Sequence, residues 1–454
     1  MRQKLDIIEI INKSMFFTGA GFSFGTGCLT SGEMYKEIKK IISSDSEEPF
    51  DRTEKEALKF LISCLQYHSE WRSMELSGEM EFTPNIEELA LLIRRIKNRE
   101  NIVPYPVTGN WADKLVLLES QFKNEQDSDR KTLFESLYDK LKKLLHLQWL
   151  NIDKSLSFLS PIQELAAGNA ASDLMFDFFS LNNDLVIESY FQNIDQNPYR
   201  GFVGGEWRGI YKTEIPDIKD ERFGKINLYK LHGSIDWIRL DDNSCKEIER
   251  LKVENQELYE QIQIDSDTNP FIHHPYIIFG QGTKTFSVEP FFSLLNHFHT
   301  SLNSKEKAYI FAIGYSFFDP YINNLLFEAA KDNTYLIIVN PYLGPNKIYQ
   351  AYNENGVQKN KPKPKQSDFY KCEYPSDNSK SDLIDYLKLI QKNPFYSELP
   401  EFNNTVIRAE NIEYLPLETD LFLKEFLSNN GQLMADFINS LHEKADDDLP
   451  FKDD

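Results

Sequence analysis

Four short segments of this chain carry side chains able to bind and turn over a polar ligand. They are Phe17-Thr18-Gly19-Ala20-Gly21-Phe22-Ser23, Phe179-Ser180-Leu181-Asn182-Asn183-Asp184, Lys230-Leu231-His232-Gly233-Ser234 and Ile313-Gly314-Tyr315-Ser316-Phe317-Phe318-Asp319. Asn182 offers an amide that can orient a hydroxyl or a water. His232 offers an imidazole, with an ordinary pKa of about 6.5, that can take a proton at neutral pH. Asp184 can fix a hydroxyl or its own loop. Glycine has no Cβ, so Gly19 and Gly21 let a backbone come close to a phosphate. Each segment begins where an apolar, strand-like run gives way to polar residues and glycine. In open α/β sheets, ligands gather at the carboxyl ends of strands. Four such ends therefore describe one crevice.

The first segment reads as a nucleotide-like turn without matching the common patterns. A G-x-G-x-x-G motif needs glycine where Phe24 stands. A Walker A loop needs Gly-Lys-Ser/Thr where the chain has Gly25-Thr26-Gly27-Cys28. Plainer readings stand beside the chemical ones. Ser23 can cap a helix, Asn182-Asn183-Asp184 can be a turn, and Asp319-Pro320 starts a helix in any protein.

Taken in order, these segments resemble the motifs of the Sir2 (sirtuin) superfamily, and more closely those of its prokaryotic anti-phage defence branch. Gly19-Ala20-Gly21-Phe22-Ser23 is similar to the family's Gly-Ala-Gly-x-Ser, and Ser180-Leu181-Asn182-Asn183-Asp184 to its Thr-x-Asn-x-Asp. Leu231-His232-Gly233-Ser234 resembles its Leu-His-Gly-Ser, and Gly314-Tyr315-Ser316-Phe317-Phe318-Asp319 the Gly-Tyr-Ser-Phe-x-Asp of the defence branch. Asn340, after Leu336-Ile337-Ile338-Val339, resembles the Asn that ends a later family strand. Gln192-Asn193-Ile194-Asp195 also spells part of the family's Asn motif, eleven residues on. The stronger apolar run before Asn182 favours Asn182 over Asn193.

The resemblance implies a Rossmann-like parallel sheet of the Sir2 type that uses NAD+ as substrate. It implies catalytic roles for Asn182 and His232. It implies NAD+ contacts at Gly19, Ala20, Gly21, Phe22, Ser23, Asp184, Gly314, Ser316 and Asn340. Deacylases of the family hold zinc on paired Cys-x-x-Cys motifs. Here Cys28, Cys64, Cys245 and Cys372 lie far apart, so no metal is expected. His273-His274 and His297-x-His299 lack a carboxylate or Cys at matching spacing. The expected activity is therefore hydrolysis of NAD+ to nicotinamide and ADP-ribose, and the resemblance to the defence branch implies that it depletes NAD+ during phage infection. The alternatives are an NAD-dependent protein deacylase and a non-catalytic NAD or ADP-ribose sensor.

The elements that must hold these residues follow from periodicity. Residues 14–24 read as a strand and its loop, and strand signals return at 174–179, 226–231, 276–279, 308–313 and 335–339, with helical patterns at 291–304 and 319–331; this alternation argues for α/β with a parallel sheet. Between the first two strands, about residues 31–168 read as an all-α insertion, with helices over 54–74, from Thr83-Pro84 onward, and over 129–150. The expected organisation is an NAD-binding domain over 1–345 that contains this insertion. A C-terminal segment over 346–454 follows, with a last strand near 405–414, helices over 420–441 and an acidic tail over 445–454. Ile248, Leu251, Asn255, Leu258 and Ile262 make a short heptad-like seam.

The formal net charge of −21 opposes direct nucleic-acid binding. No run is apolar enough for a membrane span, and few, scattered cysteines suit a reducing cytoplasm. An unrestrained NAD+ hydrolase would harm its own cell. Gating by a homo-oligomer, or by a separately encoded partner such as a nucleic-acid motor ATPase, is therefore expected, with the helical insertion as its lever.

Overall fold

The computed structural model describes residues 4–46, 48–75, 84–98, 111–125, 132–150, 152, 154–168, 174–210, 226–239, 244–248, 277, 289–304, 306–317, 319–331, 334–340, 411–415 and 417–447. The chain divides into two compact units. One comprises Met1–Thr26, Asp153–His274 and Thr285–Asp454, and the other Gly27–Ile152 and Pro275–Lys284.

The first unit is built on a six-stranded, wholly parallel sheet. After α1 (Ile7–Asn12), capped by a reciprocal Asp6–Glu9 box, comes β1 (Ser14–Thr18) and then α2 (Ala20–Ser23). The helices α3 (Ser31–Ser43), α4 (Arg52–Glu75), α5 (Ile86–Lys97), α6 (Trp111–Glu125), α7 (Leu133–Leu150) and α8 (Ser160–Gly168) precede β2 (Phe176–Ser180) and α9 (Val186–Gln192). Four short strands, β3 (Phe202–Val203), β4 (Glu206–Trp207), β6 (Trp237–Arg239) and β7 (Cys245–Glu247), form a small antiparallel sheet around β5 (Ile226–Lys230) in the chain. The main sheet continues with α10 (Phe291–Leu302), β8 (Tyr309–Ile313), α11 (Pro320–Lys331), β9 (Tyr335–Val339), β10 (Ile412–Leu415) and a final helix α12 (Thr419–Asp447).

The strand order is β10-β9-β8-β1-β2-β5. The chain builds outward from β1 in one direction, then returns to build outward from β8 in the other. This is the doubly wound arrangement of dinucleotide-binding sheets, and its order reverses between β1 and β8. The strands are apolar on both faces, as a parallel sheet covered by helices requires: Ser14–Thr18, Phe176–Ser180, Tyr309–Ile313 and Tyr335–Val339 are buried throughout. Phe16 stacks against Phe311 and tilts onto Phe176 and Phe178, which ties three strands together.

Several sequence expectations meet a difference. The helix expected from Thr83-Pro84 starts at Ile86. Asn85 is its N-cap and forms a reciprocal box with Glu88, which satisfies two orphan backbone donors where proline satisfies none. The helical run after β1 is shared between the units. α3 to α7 have their own apolar core, including Leu58, Leu61, Leu89, Ile93, Leu137 and Leu141. α8 packs in the sheet unit, against α12. The last strand lies at 412–415, within the described residues. α12 is two helices joined at Ser428–Gly431, where Asn429, Asn430 and Gly431 take positive φ. Most of the heptad-like seam, and His273-His274, lie outside the described residues. Among the described residues no helix is long and apolar enough to cross a membrane.

Candidate functional site

The last residues of the six strands stand in one register. Lys230 pairs with Ser180, Ser180 with Thr18, Thr18 with Ile313, Ile313 with Val339, and Val339 with Leu415. All six carboxyl ends therefore meet one edge. The next residues along that edge are Leu231, Leu181, Gly19, Gly314 and Asn340. From β5 to β9 this row crosses four strand intervals, roughly 19 Å at about 4.8 Å each.

Gly19 and Gly21 are needed for packing within the chain. Gly19 donates its N–H to the Ile313 carbonyl at 3.0 Å and Gly21 to the Gly314 carbonyl at 2.9 Å. A Cβ on Gly19 would lie 2.7 Å from Tyr315 Cα, and one on Gly21 would lie 2.8 Å from Gly314 Cα. Gly314 has φ +62°, and a Cβ there would meet Phe22 N at 2.3 Å. The glycines thus lock the β1 and β8 loops together at the point where the strand order reverses. Gly19 has φ −113° as the cap of α2, so it is close approach and not a left-handed backbone that requires glycine there, whereas Gly314 requires it on both grounds. Thr419, at the start of α12, donates to the Gly21 carbonyl at 3.3 Å.

Ala20 and Ser316 are exposed, whereas Phe22 is buried among Phe158 and Phe178. The turn that presents Ser316 is fixed from inside. Tyr315 donates its hydroxyl to Asn323 Oδ1 at 2.7 Å, and Asn323 donates to the Phe317 carbonyl at 2.9 Å. Asn340 donates its side-chain amide to the Tyr315 carbonyl at 3.0 Å and its backbone N–H to Leu415. It therefore stitches the ends of β8, β9 and β10.

The opposite half of the edge is polar and buried. Ser23 accepts a hydrogen bond from the Asn182 amide at 3.0 Å, and the Asp184 carboxylate accepts from the Val186 N–H at 3.1 Å. Asn182 is held a second time through its N–H to Ser180 Oγ at 3.1 Å. The β2 loop and the β5 loop are bonded to each other: Leu231 N to Ser180 O, Ile235 N to Asn183 O, and the Asn183 amide to the His232 carbonyl. Asn182, Asp184 and His232 are all at least nine-tenths buried. Asn193 occupies the exposed C-cap of α9, outside this arrangement.

Beneath these loops lies an ionic cluster that the sequence did not single out. Lys230, 2% exposed, donates to the Asp184 carbonyl and to Ser234 Oγ and pairs with Glu188 at 2.9 Å. Arg200 bridges Glu188 at 3.1 Å and Asp236 at 2.8 Å and also meets Glu247. The two aspartates are driven in opposite directions. Burial pushes the Asp184 carboxyl above the usual range, against Lys230, the Val186 N–H and the Ser23 hydroxyl. Burial acts on Asp236 in the same sense, but Arg200 and Lys230, with hydrogen bonds from Ser234 and Arg200, outweigh it and hold that carboxyl low. Lys230 ends a strand and Arg200 precedes a two-residue one. Their only mark in sequence is a cation beside apolar residues.

Asp319 caps α11 by accepting from Tyr321 N at 3.1 Å and Ile322 N at 3.3 Å, the helix-start role expected of Asp-Pro. Its other carboxylate oxygen lies 3.7 Å from His232 Nε2. Among the described residues no three His, Cys, Asp or Glu side chains converge as metal ligands. His297 packs against Phe179 and Tyr229, and burial holds its pKa low, favouring the neutral imidazole. The helical unit has a cavity of about 290 Å³ lined by Ile42, Ser44, Asp45, Arg52, Lys55, Glu56 and Lys59, none of them a candidate from the sequence.

No protein-family model matches the chain, and no curated protein matches it. Among solved structures, the chain is similar to one described as "Structural Basis for the Mechanism and Regulation of Sir2 Enzymes", with 12% identity over 94% of this chain and 96% of that one. The TM-score is 0.30, too low for the likeness to bear on function. The functional reading therefore rests on the geometry of the chain and on the motif resemblance in its sequence.

Proposed function

We propose that the sheet unit binds NAD+ along the carboxyl edge and hydrolyses its nicotinamide–ribose bond, giving nicotinamide and ADP-ribose. The observation that carries this reading is the placement of Asn182 and His232 on adjoining strand ends, in one row with the β1/β8 reversal point where doubly wound sheets take dinucleotides. The motif resemblance supplies the choice of NAD+.

The chemistry asks little of a general acid. As the C–N bond breaks, its electron pair goes to the ring nitrogen and nicotinamide leaves neutral. The ribose carbon develops oxocarbenium character, as in glycoside hydrolysis. A water oxygen then bonds to that carbon and its proton must be taken up. Asn182, held by Ser23 and Ser180, orients the ribose hydroxyls or the water. His232 accepts the proton. Gly314, Ser316 and Asn340 form the far end of the row, for the adenosine side. The biological use implied by the resemblance is depletion of NAD+ during phage infection.

The test is to incubate the purified chain with NAD+ and quantify nicotinamide and ADP-ribose, with and without an acetylated peptide. Both products without peptide support hydrolysis. Release that needs the peptide replaces it with deacylation. Binding of NAD+ with no release above a buffer blank replaces it with a sensor.

A further inference from the structure

We infer that Asp319 is a positioning residue for His232, raising the proton affinity of the imidazole while it caps α11. The function of this pair rests on the hydrolase reading; the pair itself does not.

Two observations carry the inference. First, the carboxylate is divided between two tasks. Oδ1 is held by the N–H groups of Tyr321 and Ile322, which leaves the group little freedom to turn. Oδ2 is thereby aimed at His232 Nε2, 3.7 Å away. That is ion-pair distance and longer than a hydrogen bond, so attraction grows when the imidazole gains its proton. Second, both side chains are largely withdrawn from water, at 8% and 11% exposure, where screening is weak. A helix cap alone would need only one carboxylate oxygen, and any of Ser, Thr or Asn would serve.

Among the described residues, charged groups on three neighbouring elements have ion pairs or hydrogen bonds of their own. Lys230 at the end of β5 is paired with Glu188 of α9. Asp184 lies in the β2 loop, its carboxylate accepting from the Val186 N–H. Asp236, beyond the His-Gly-Ser turn, is paired with Arg200. Asp319 places its second carboxylate oxygen at ion-pair distance from His232 Nε2. A carboxylate so placed favours the imidazolium and makes His232 a better acceptor for the proton of the attacking water.

Asp319→Asn separates the two tasks, because the amide oxygen still caps α11 while the charge is gone. The readout is the imidazole titration of His232, followed by NMR on histidine-labelled full-length chain, with the signal assigned by its loss in His232→Gln. The midpoint in Asp319→Asn should fall by about one pH unit relative to wild type. An unchanged or raised midpoint overturns the inference. Should Asp319→Asn fail to fold by circular dichroism, Asp319→Ser, another neutral cap, takes its place with the same expectation. In the activity assay, the acid limb of nicotinamide release should move to lower pH by the same amount. A wild-type chain that releases no nicotinamide would defeat the hydrolase reading and leave the titration to decide the pair, so the two failures are distinguishable.

Discussion

The carboxyl edge of the sheet has two halves made by different means. Around β1, β8 and β9 the loops are held by backbone contact: Gly19 and Gly21 donate to Ile313 and Gly314, and no Cβ fits between them. Around β2 and β5 the loops are held by buried charge: Lys230, Arg200, Glu188 and Asp236 fix the segments that carry Asn182 and His232. Shape-defined backbone suits a constant part of a ligand, which must be held close and released unchanged. Polar side chains on a charged base suit the part that reacts, because their protonation and orientation can be set. The difference says which half should tolerate which change.

The largest loss of stability is expected from Lys230→Met. The substitution leaves Glu188 with Arg200 alone and takes the buried cation from the Asp184 carbonyl and Ser234, and breaking one member of a buried ion pair costs about 3–5 kcal/mol. Denaturant unfolding should show this cost, and nicotinamide release should fall with it. A change under about 1 kcal/mol would mean that the charged base does not hold the reactive half.

Gly314→Ala breaks the other half. The new methyl would sit 2.3 Å from Phe22 N at a φ of +62°, combining a left-handed penalty of about 1–2 kcal/mol with an overpacking cost of about 1–3 kcal/mol. NAD+ affinity by calorimetry should weaken beyond detection, while the His232 titration stays where it was. A variant that binds NAD+ as wild type does would show that the glycine lock has no bearing on the ligand.

The smallest effect is the pH response of the charged base. The Asp236 carboxyl is held below its ordinary value, so its contribution is complete above the unfolded pKa of about 3.9 and is lost as pH falls through the folded value. The Asp184 carboxyl is raised, so its contribution is present at low pH and is lost as pH rises through its folded value. Acid unfolding below about pH 4 should therefore be shallower in Asp236→Asn than in wild type. An identical acid profile would remove Asp236 from the account.

The sequence showed the row of strand ends because each is an apolar run stopped by Gly, Asn or His, and parallel pairing then forces all of them to one edge. It missed what depends on distant partners. Asp319 and His232 are 87 positions apart, so the sequence could show the cap and not the second oxygen. Lys230 reads as the polar end of a strand until Glu188 and Asp184 are brought over it. The strands of the small sheet are two or three residues long, too short for alternation to register. The sequence reads Gly19 and Gly21 as a phosphate loop; the packing that requires glycine at both comes from Gly314 and Tyr315, on another strand's loop.

The central claim is that Asn182 and His232 on adjoining strand ends cleave NAD+. It is tested most directly by nicotinamide release measured side by side for wild type, Asn182→Ala and Asn193→Ala, each confirmed folded. Because the result is a ratio between variants, a low resting rate is enough to read it. The account predicts that Asn193→Ala, at an exposed helix end, retains the wild-type rate, while Asn182→Ala loses about 10²–10⁴-fold, the range of a residue acting on the reacting groups. Release that survives in Asn182→Ala and vanishes in Asn193→Ala would contradict it.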